Sequence, residues 1–435
     1  MVAPKEESLI YGTKISSVGP GTVTGQDVTH EPSNMDLAMK LHYLKGIYYF
    51  RSPAFQGQTI MDIKEPMFRW LDHLCVACGR FRRSESGRPF IKCNDCGVRL
   101  IESHCDKTID EWLQITDVSL QAKLLVSHQA IGPELAFSPL VLIQLTWFKC
   151  GGVSVGLCWA HVLGDAFSAV DFINMWGQFA AGHKPPRPLS SDQSHTKIEN
   201  SPNPAMHFQD PLSIKRVSPV GDNWITTNNC KMEPFSFHVT ATQLSHLQSK
   251  VCGGGNGNDR IPPFESLCAI IWQCVAKVRD GSEPKIVTIC KNGPPNHKNC
   301  IFGNGQVISV VKADFSIIEA NPKELAELVI NRAVNETSQI EEAIGRDQGS
   351  SDFILYGANL TFVDMEGANF YGLEFKGQKP IDVNYTIDGV GDEGVVLVLP
   401  GKKDGDAAGR IVTIMMPENQ VMELKSQLKV EFSIA

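Results

Sequence analysis

The chain has 435 residues, of which 42% are hydrophobic and 20% charged, and its formal net charge is -8. That length accommodates two domains of roughly 200 residues each, with the composition of a globular protein. The acidic balance excludes a typical nucleic-acid binder, which carries a basic surface over its binding domain. No stretch approaches the roughly 18 apolar residues of a membrane span, and Met1 to Glu7 carries no apolar leader, so any membrane association is expected to be peripheral.

In chain order, Leu9–Ser17 reads as a strand, followed by a Gly/Pro/Thr loop. Ser33 then caps a helix expected to run for about twelve residues. Ile47–Phe50 reads as a strand and Pro66–Leu74 as a helix with its proline near the first turn. A hairpin bearing Arg80, Arg82, Arg83 and Arg88 follows, expected to present a solvated strand face. Leu140–Phe148 is rich in β-branched and aromatic residues and reads as a strand. A turn at Gly151-Gly152 leads into its partner, Val153–Trp159. His161 and Asp165 stand where that strand ends, a place where α/β proteins often put chemistry. Phe167, Val170, Ile173, Trp176 and Phe179 then recur at helical spacing.

Gly182–Ser213 contains six prolines and little periodicity, the composition of an interdomain crossover. This divides the chain into residues 1–182 as an N-terminal domain with His161 and Asp165, 183–222 as a linker, and 223–435 as a C-terminal domain. In the second half, Leu244, Leu247 and Val251 mark a helix stopped by Gly253. Phe264–Val278 reads as a buried helix, and Pro322–Ile344 as one long amphipathic helix. Strands are expected at Lys285–Lys291, Val307–Ala313, Phe353–Phe362, Gly394–Leu399 and Arg410–Met415, with a terminal helix from Pro417-Glu418. Thirteen cysteines without a leader point to reduced thiols. Cys75, Cys78, Cys93 and Cys96 imitate a zinc spacing, but buried thiols acting as small hydrophobes are the expected reading, and no metal is assigned.

Several ordered segments carry a family resemblance. Gln144, Thr146, Phe148, Cys150, Gly151, Gly152, Gly156, His161 and Asp165 make up one of them. Gly79-Arg80 with Ile91–Val98, Pro263–Leu267 through Trp272, and Ile301-Phe302-Gly303-Asn304 make up the others. Together they resemble the plant acyl-CoA-dependent acyltransferases of the BAHD superfamily over nearly the whole chain. The resemblance implies an α/β fold of two similar chloramphenicol-acetyltransferase-like domains with mixed sheets, joined by a crossover loop, with a channel at their interface. It also implies acyl transfer from a coenzyme A thioester, with His161 taking the acceptor's proton and Asp165 as a structural support. Histidine suits that role because its unperturbed pKa lies near neutrality. Acyl-CoA would be a substrate rather than a bound cofactor, and the arginine hairpin gains a second reading as a contact for its phosphates.

Two departures from the family pattern bear on function. Ala166 replaces the glycine after the aspartate, and the second hallmark, D-F-G-W-G-K-P, stands here as Glu374-Phe375-Lys376-Gly377-Gln378-Lys379-Pro380. Phe302, Gly303, Asn304, Glu374 and Phe375 are the expected channel or loop residues. An intact first hallmark with an eroded second is similar to the eceriferum-two-like and glossy wax proteins within the superfamily. That likeness implies a partner of the fatty acid elongase condensing enzyme (a ketoacyl-CoA synthase) at the cytosolic face of the endoplasmic reticulum. There it would promote long-chain acyl-CoA extension for cuticular wax, with the histidine dispensable. A working O-acyltransferase using His161, cytoplasmic or peripheral, is the other expectation.

Overall fold

The structure, a computed structural model, describes residues 9–115, 117–183, 209–253, 261–279, 281–293, 301–404 and 407–434. Two large mixed sheets dominate it. The first runs, edge to edge, Ile10–Val18, Val98–Cys105, Val141–Phe148, Val153–Ala160, Tyr43–Phe50 and Asp382–Asp388. The second runs Met232–Val239, Ala407–Pro417, Val395–Asp404, Leu360–Asp364, Ile286–Lys291, Val307–Lys312 and Val334–Asn335. Among the described residues no helix is long and apolar enough to cross a membrane.

The central strands are covered on both faces, and the sequence shows it there as runs without polar alternation, as in Val141–Phe148 and Val153–Ala160. In Val153–Ala160 every residue is buried. Val153, Val155, Leu157 and Trp159 enter a core that continues into the C-terminal half through Leu355, Val395 and Leu397. Cys158, on the opposite face, joins a smaller cluster with Trp112 and Leu125. In the second sheet Val396 and Val398 pack outward against the helices Ala241–Cys252, Pro263–Val278 and Glu418–Phe432.

The last strand of the first sheet comes from the second half of the chain. Asp382–Asp388 pairs antiparallel with Tyr43–Phe50, placing Tyr385 opposite Gly46. A Cβ at Gly46 would lie 2.5 Å from the Tyr385 ring, and the Tyr385 hydroxyl meets that of Tyr48 at 2.6 Å. Gly46→Ala is therefore expected to destabilise the protein by about 1–3 kcal/mol through overpacking. A denaturant midpoint equal to wild type would show that the strand shifts freely.

Several local expectations need correction. The helix at Ser33 spans only Asn34–Ala38, because Tyr43–Phe50 is claimed by strand partners on both sides. The next helix starts earlier, at Ile60, with Thr59 and Asp62 forming a capping box, so Pro66 lies inside it. Proline there removes only the bond to the Asp62 carbonyl. Pro322–Ile344 is two helices, Pro322–Asn331 and Thr337–Asp347, separated by Val334–Asn335. The Asn335 side chain accepts the Thr337 N–H at 2.9 Å, and buried Glu336 accepts from the backbone and hydroxyl of Ser213. Phe353–Phe362 is likewise two strands, Asp352–Ile354 and Leu360–Asp364, with a turn at Gly357. The arginine hairpin is not a solvated face throughout. Arg80 is buried and donates to the Gly79 and Gly97 carbonyls, Arg83 pairs with Asp222, and Arg88 donates to the Pro32 carbonyl. Most of the crossover, residues 184–208, lies outside the described residues.

Candidate functional site

The strand Val153–Ala160 delivers His161 to the seam between the halves. Its last residue pairs with Tyr43, and the His161 N–H donates to the His42 carbonyl at 3.0 Å. One turn of 3-10 helix follows, and Trp159 Nε1 donates to the Gly164 carbonyl at 2.9 Å. Gly164 admits no side chain, since a Cβ would sit 2.9 Å from the Gly303 carbonyl oxygen. Asp165 then caps the helix Ala166–Ala180, accepting the Ser168 N–H at 3.0 Å with one oxygen and the Gly305 N–H at 3.0 Å with the other.

The loop Phe302–Gly305 is thereby stitched to the histidine segment. Gly303 N–H donates to the Leu163 carbonyl at 2.8 Å, and Ser168 Oγ donates to the Gly303 carbonyl at 3.0 Å. Asn304 Nδ2 donates to the His161 carbonyl at 3.0 Å. Asn304 also places its N–H and its Nδ2 on Asp36 Oδ1, each at 2.9 Å. Phe302 lies parallel to Trp159, centroids 6.0 Å apart.

The imidazole of His161 has no exposed surface. Its Nε2 lies 3.0 Å from the Tyr356 hydroxyl, which donates to Gln306 Oε1 at 2.8 Å. The turn carrying Tyr356 is held by a second buried histidine. His42 Nε2 accepts the N–H groups of Leu355 and Tyr356 at 3.3 and 3.4 Å, and the His42 and Tyr356 rings approach to 4.9 Å. Burial pulls the His161 imidazole down to about 4. Burial, reinforced by His161, pulls His42 down to about 3. Both rings are neutral at pH 7. A general base needs a free lone pair within hydrogen-bond reach of the acceptor's proton, about 2.6–3.2 Å. Here Tyr356 Oη occupies that place.

Phe302, Gly303 and Asn304 thus come to His161 and Asp165, whereas Glu374 and Phe375 sit elsewhere. They pack near the far end of the helix, with Trp176, which at about 1.5 Å per residue lies roughly 16 Å along the axis from Asp165. Phe375 is buried, with its ring 4.8 Å from Phe55, 4.9 Å from Trp176 and 5.5 Å from Phe50. Lys376 and Gly377 form a two-residue turn with positive φ at both, closed by bonds between the backbones of Phe375 and Gln378 at 3.0 and 2.9 Å. Among the described residues the Glu374 carboxylate makes no ion pair or hydrogen bond. The segment is anchored by the buried Phe375 ring and by Lys376, whose Nζ donates to the Gln56 carbonyl at 2.7 Å, rather than by its acidic residue.

Reasoning from sequence missed His42, Asp36, Gln306 and Tyr356. The pattern Ser33-x-x-Asp36 is a readable helix cap, but nothing local marks Tyr356 or His42. The cysteines are free thiols among the described residues, and Cys96 is exposed while Cys78 and Cys93 are buried. The Cys75 thiol, hydrogen-bonded with Cys93, is drawn down to about 7. No three His, Cys, Asp or Glu side chains among the described residues converge as metal ligands.

Comparison with known proteins places this geometry in context. Residues 16–430 match the Transferase family. The chain is 42% identical to Protein ECERIFERUM 26-like of Arabidopsis thaliana over 420 residues, covering 97% of this chain and 95% of that one. It is 36% identical to Protein ECERIFERUM 2 of the same plant, covering 97% and 99%. The crystal structure of vinorine synthase superposes with a TM-score of 0.72 at 16% identity, covering 97% of this chain and 98% of that one. That likeness fixes the fold: two chloramphenicol-acetyltransferase-like domains. With the family matched from the first sheet to the terminal helix, the chain belongs to the Transferase family of BAHD acyltransferases, in the branch of the ECERIFERUM proteins.

Proposed function

We propose that this protein promotes the extension of very-long-chain fatty acyl groups for cuticular wax, acting beside an elongase condensing enzyme at the cytosolic face of the endoplasmic reticulum. Long-chain acyl-CoA is its ligand, and His161 and Asp165 serve it as framework rather than as an acid–base pair. The observation that carries this reading is the Tyr356 hydroxyl 3.0 Å from a fully buried His161 Nε2, where an acceptor's hydroxyl would have to stand. Glu374, which makes no ion pair among the described residues, supports it, because the acidic position of the second hallmark does not act as a charged clamp there. The similarity to ECERIFERUM proteins supports the wax connection.

A second reading, an acyl-CoA-dependent O-acyltransferase using His161 as general base, is favoured by the retained Asp165 cap and the neutral imidazole. Expression of His161→Ala with a ketoacyl-CoA synthase in a cell that makes very long acyl-CoAs separates the two. The expected result is the wild-type distribution of product chain lengths. Loss of the longest products, with protein abundance unchanged, would transfer the role to catalysis by His161.

A further inference from the structure

The geometry points to Tyr356 as the residue that keeps His161 out of base chemistry, by occupying the acceptor's position and holding the ring proton on Nε2. A phenol has one hydrogen, and that of Tyr356 goes to the Gln306 carbonyl oxygen at 2.8 Å. Toward His161, 3.0 Å away, the Tyr356 oxygen can then only accept, so Nε2 is the protonated nitrogen. The remaining lone pair then belongs to Nδ1, which is buried. An imidazole in this tautomer presents a donor, not an acceptor, to anything that approaches Nε2.

Tyr356 is not free to swing away. Its ring is 1% exposed. Its own N–H and that of Leu355 are bound to His42 Nε2, and its ring lies 4.9 Å from His42 and 5.3 Å from His161. His42 is therefore a positioning residue for the plug. The turn that carries it closes at Gly357, where φ is 84° and an added Cβ would meet the Gly391 backbone at 2.4 Å. The lock is thus built into the seam by the His42 side chain from one half and the Gly391 backbone from the other.

This inference rests on the proposed function, in which long-chain acyl-CoA is the ligand, and it extends it by placing the thioester at His161: deleting one oxygen should return hydrolytic chemistry. In Tyr356→Phe a water takes the hydroxyl's place and the ring proton is free to sit on Nδ1. His161 Nε2 accepts a proton from that water as its oxygen bonds the thioester carbon. The carbon–sulfur bond breaks, and the thiolate of coenzyme A leaves with the proton from Nε2, giving a free fatty acid and the thiol.

The test compares wild type, Tyr356→Phe and Tyr356→Phe/His161→Ala with a long-chain acyl-CoA, following thiol release and, separately, binding by calorimetry. Thiol release by Tyr356→Phe is expected to exceed wild type by roughly a hundredfold, the lower end for a positioned base, and to return to wild type in the double variant. Binding without a gain in release overturns this inference and leaves the proposed function standing. Absence of binding to wild type and variant overturns both. Nitrogen-15 spectra of histidine-labelled wild type give a readout independent of ligand and of the variant's folding. A protonated Nε2 at His161 is expected, and a protonated Nδ1 with bare Nε2 would overturn the lock.

Discussion

Lowering the pH from 6.5 to 4.5 will destabilise this protein steeply, because two histidines are buried neutral at its seam. His42 and His161 titrate at about 3 and about 4 in the folded chain, against about 6.5 when unfolded. The sign follows from linkage. Their folded values are depressed, so the stability they contribute is full above 6.5 and is lost as pH falls through 6.5 toward 4 and then 3. Near pH 5 the unfolded chain holds almost two more of these protons than the folded one, a slope of about 2.7 kcal/mol per pH unit. Asp165 opposes the trend, since burial raises its pKa and protonation relieves it. Denaturant midpoints measured between pH 7 and 4.5 check the slope, and His161→Asn should remove about one proton from it, about 1.4 kcal/mol per unit. A flat profile in the wild type, or an unchanged slope in the variant, would contradict burial of two neutral imidazoles.

Asp36→Ala is expected to cost about 3 kcal/mol or more, because one carboxylate serves four donors at the seam. Asp36 is 1% exposed. One of its oxygens accepts the Ser33 N–H and hydroxyl, each at 2.8 Å. The other accepts the N–H and Nδ2 of Asn304, each at 2.9 Å. Truncation orphans these donors at once, and each buried donor left without an acceptor costs about 1–3 kcal/mol. Helix capping alone accounts for only about 1 kcal/mol of this. A cycle with Asn304→Ala should therefore be non-additive by about 0.5–3 kcal/mol, since both changes break the bond from Asn304 Nδ2 to Asp36. If Asp36→Ala shifts stability no more than a surface change, within about 0.5 kcal/mol, the carboxylate does not hold the loop.

These effects converge on the loop Phe302–Gly305, which two carboxylates of the N-terminal half clamp from different elements. Asp36 and Asp165 fix consecutive residues of that loop, Asn304 and Gly305. The aspartate four residues after His161 is thus accounted for by cap and clamp, without contact to any reacting group. Its partner Ser168 also bonds the Gly303 carbonyl, so the histidine segment and the loop share four hydrogen bonds over the consecutive residues Gly303, Asn304 and Gly305.

The elements legible in sequence were those whose signals are local. The strand Val153–Ala160 and the helix Ala166–Ala180 were readable because apolar spacing and a capping aspartate lie within a few residues of each other. The Gly253 stop was readable for the same reason, a left-handed residue closing an amphipathic helix. The misread elements were those decided at a distance. Pro322–Ile344 keeps a helical period throughout, yet Val334–Asn335 leaves the helix to pair with Val307–Lys312. The run after Ser33 turns to strand because Gly46 must face Tyr385, a residue more than three hundred positions away.

The candidate site divides along the same line. The order of residues already placed His161 at a strand end, set Asp165 as a cap, and showed that the second hallmark had lost its aspartate, tryptophan and glycines. What stands against the imidazole could come only from the folded chain. Tyr356, His42 and Gln306 are separated from His161 by 195, 119 and 145 positions, and no local periodicity records which side chain fills a seam built by two sheets. Hydrogen-bond direction is a property of neighbours in space, so whether His161 offers a lone pair or a proton was decided by tertiary contact alone.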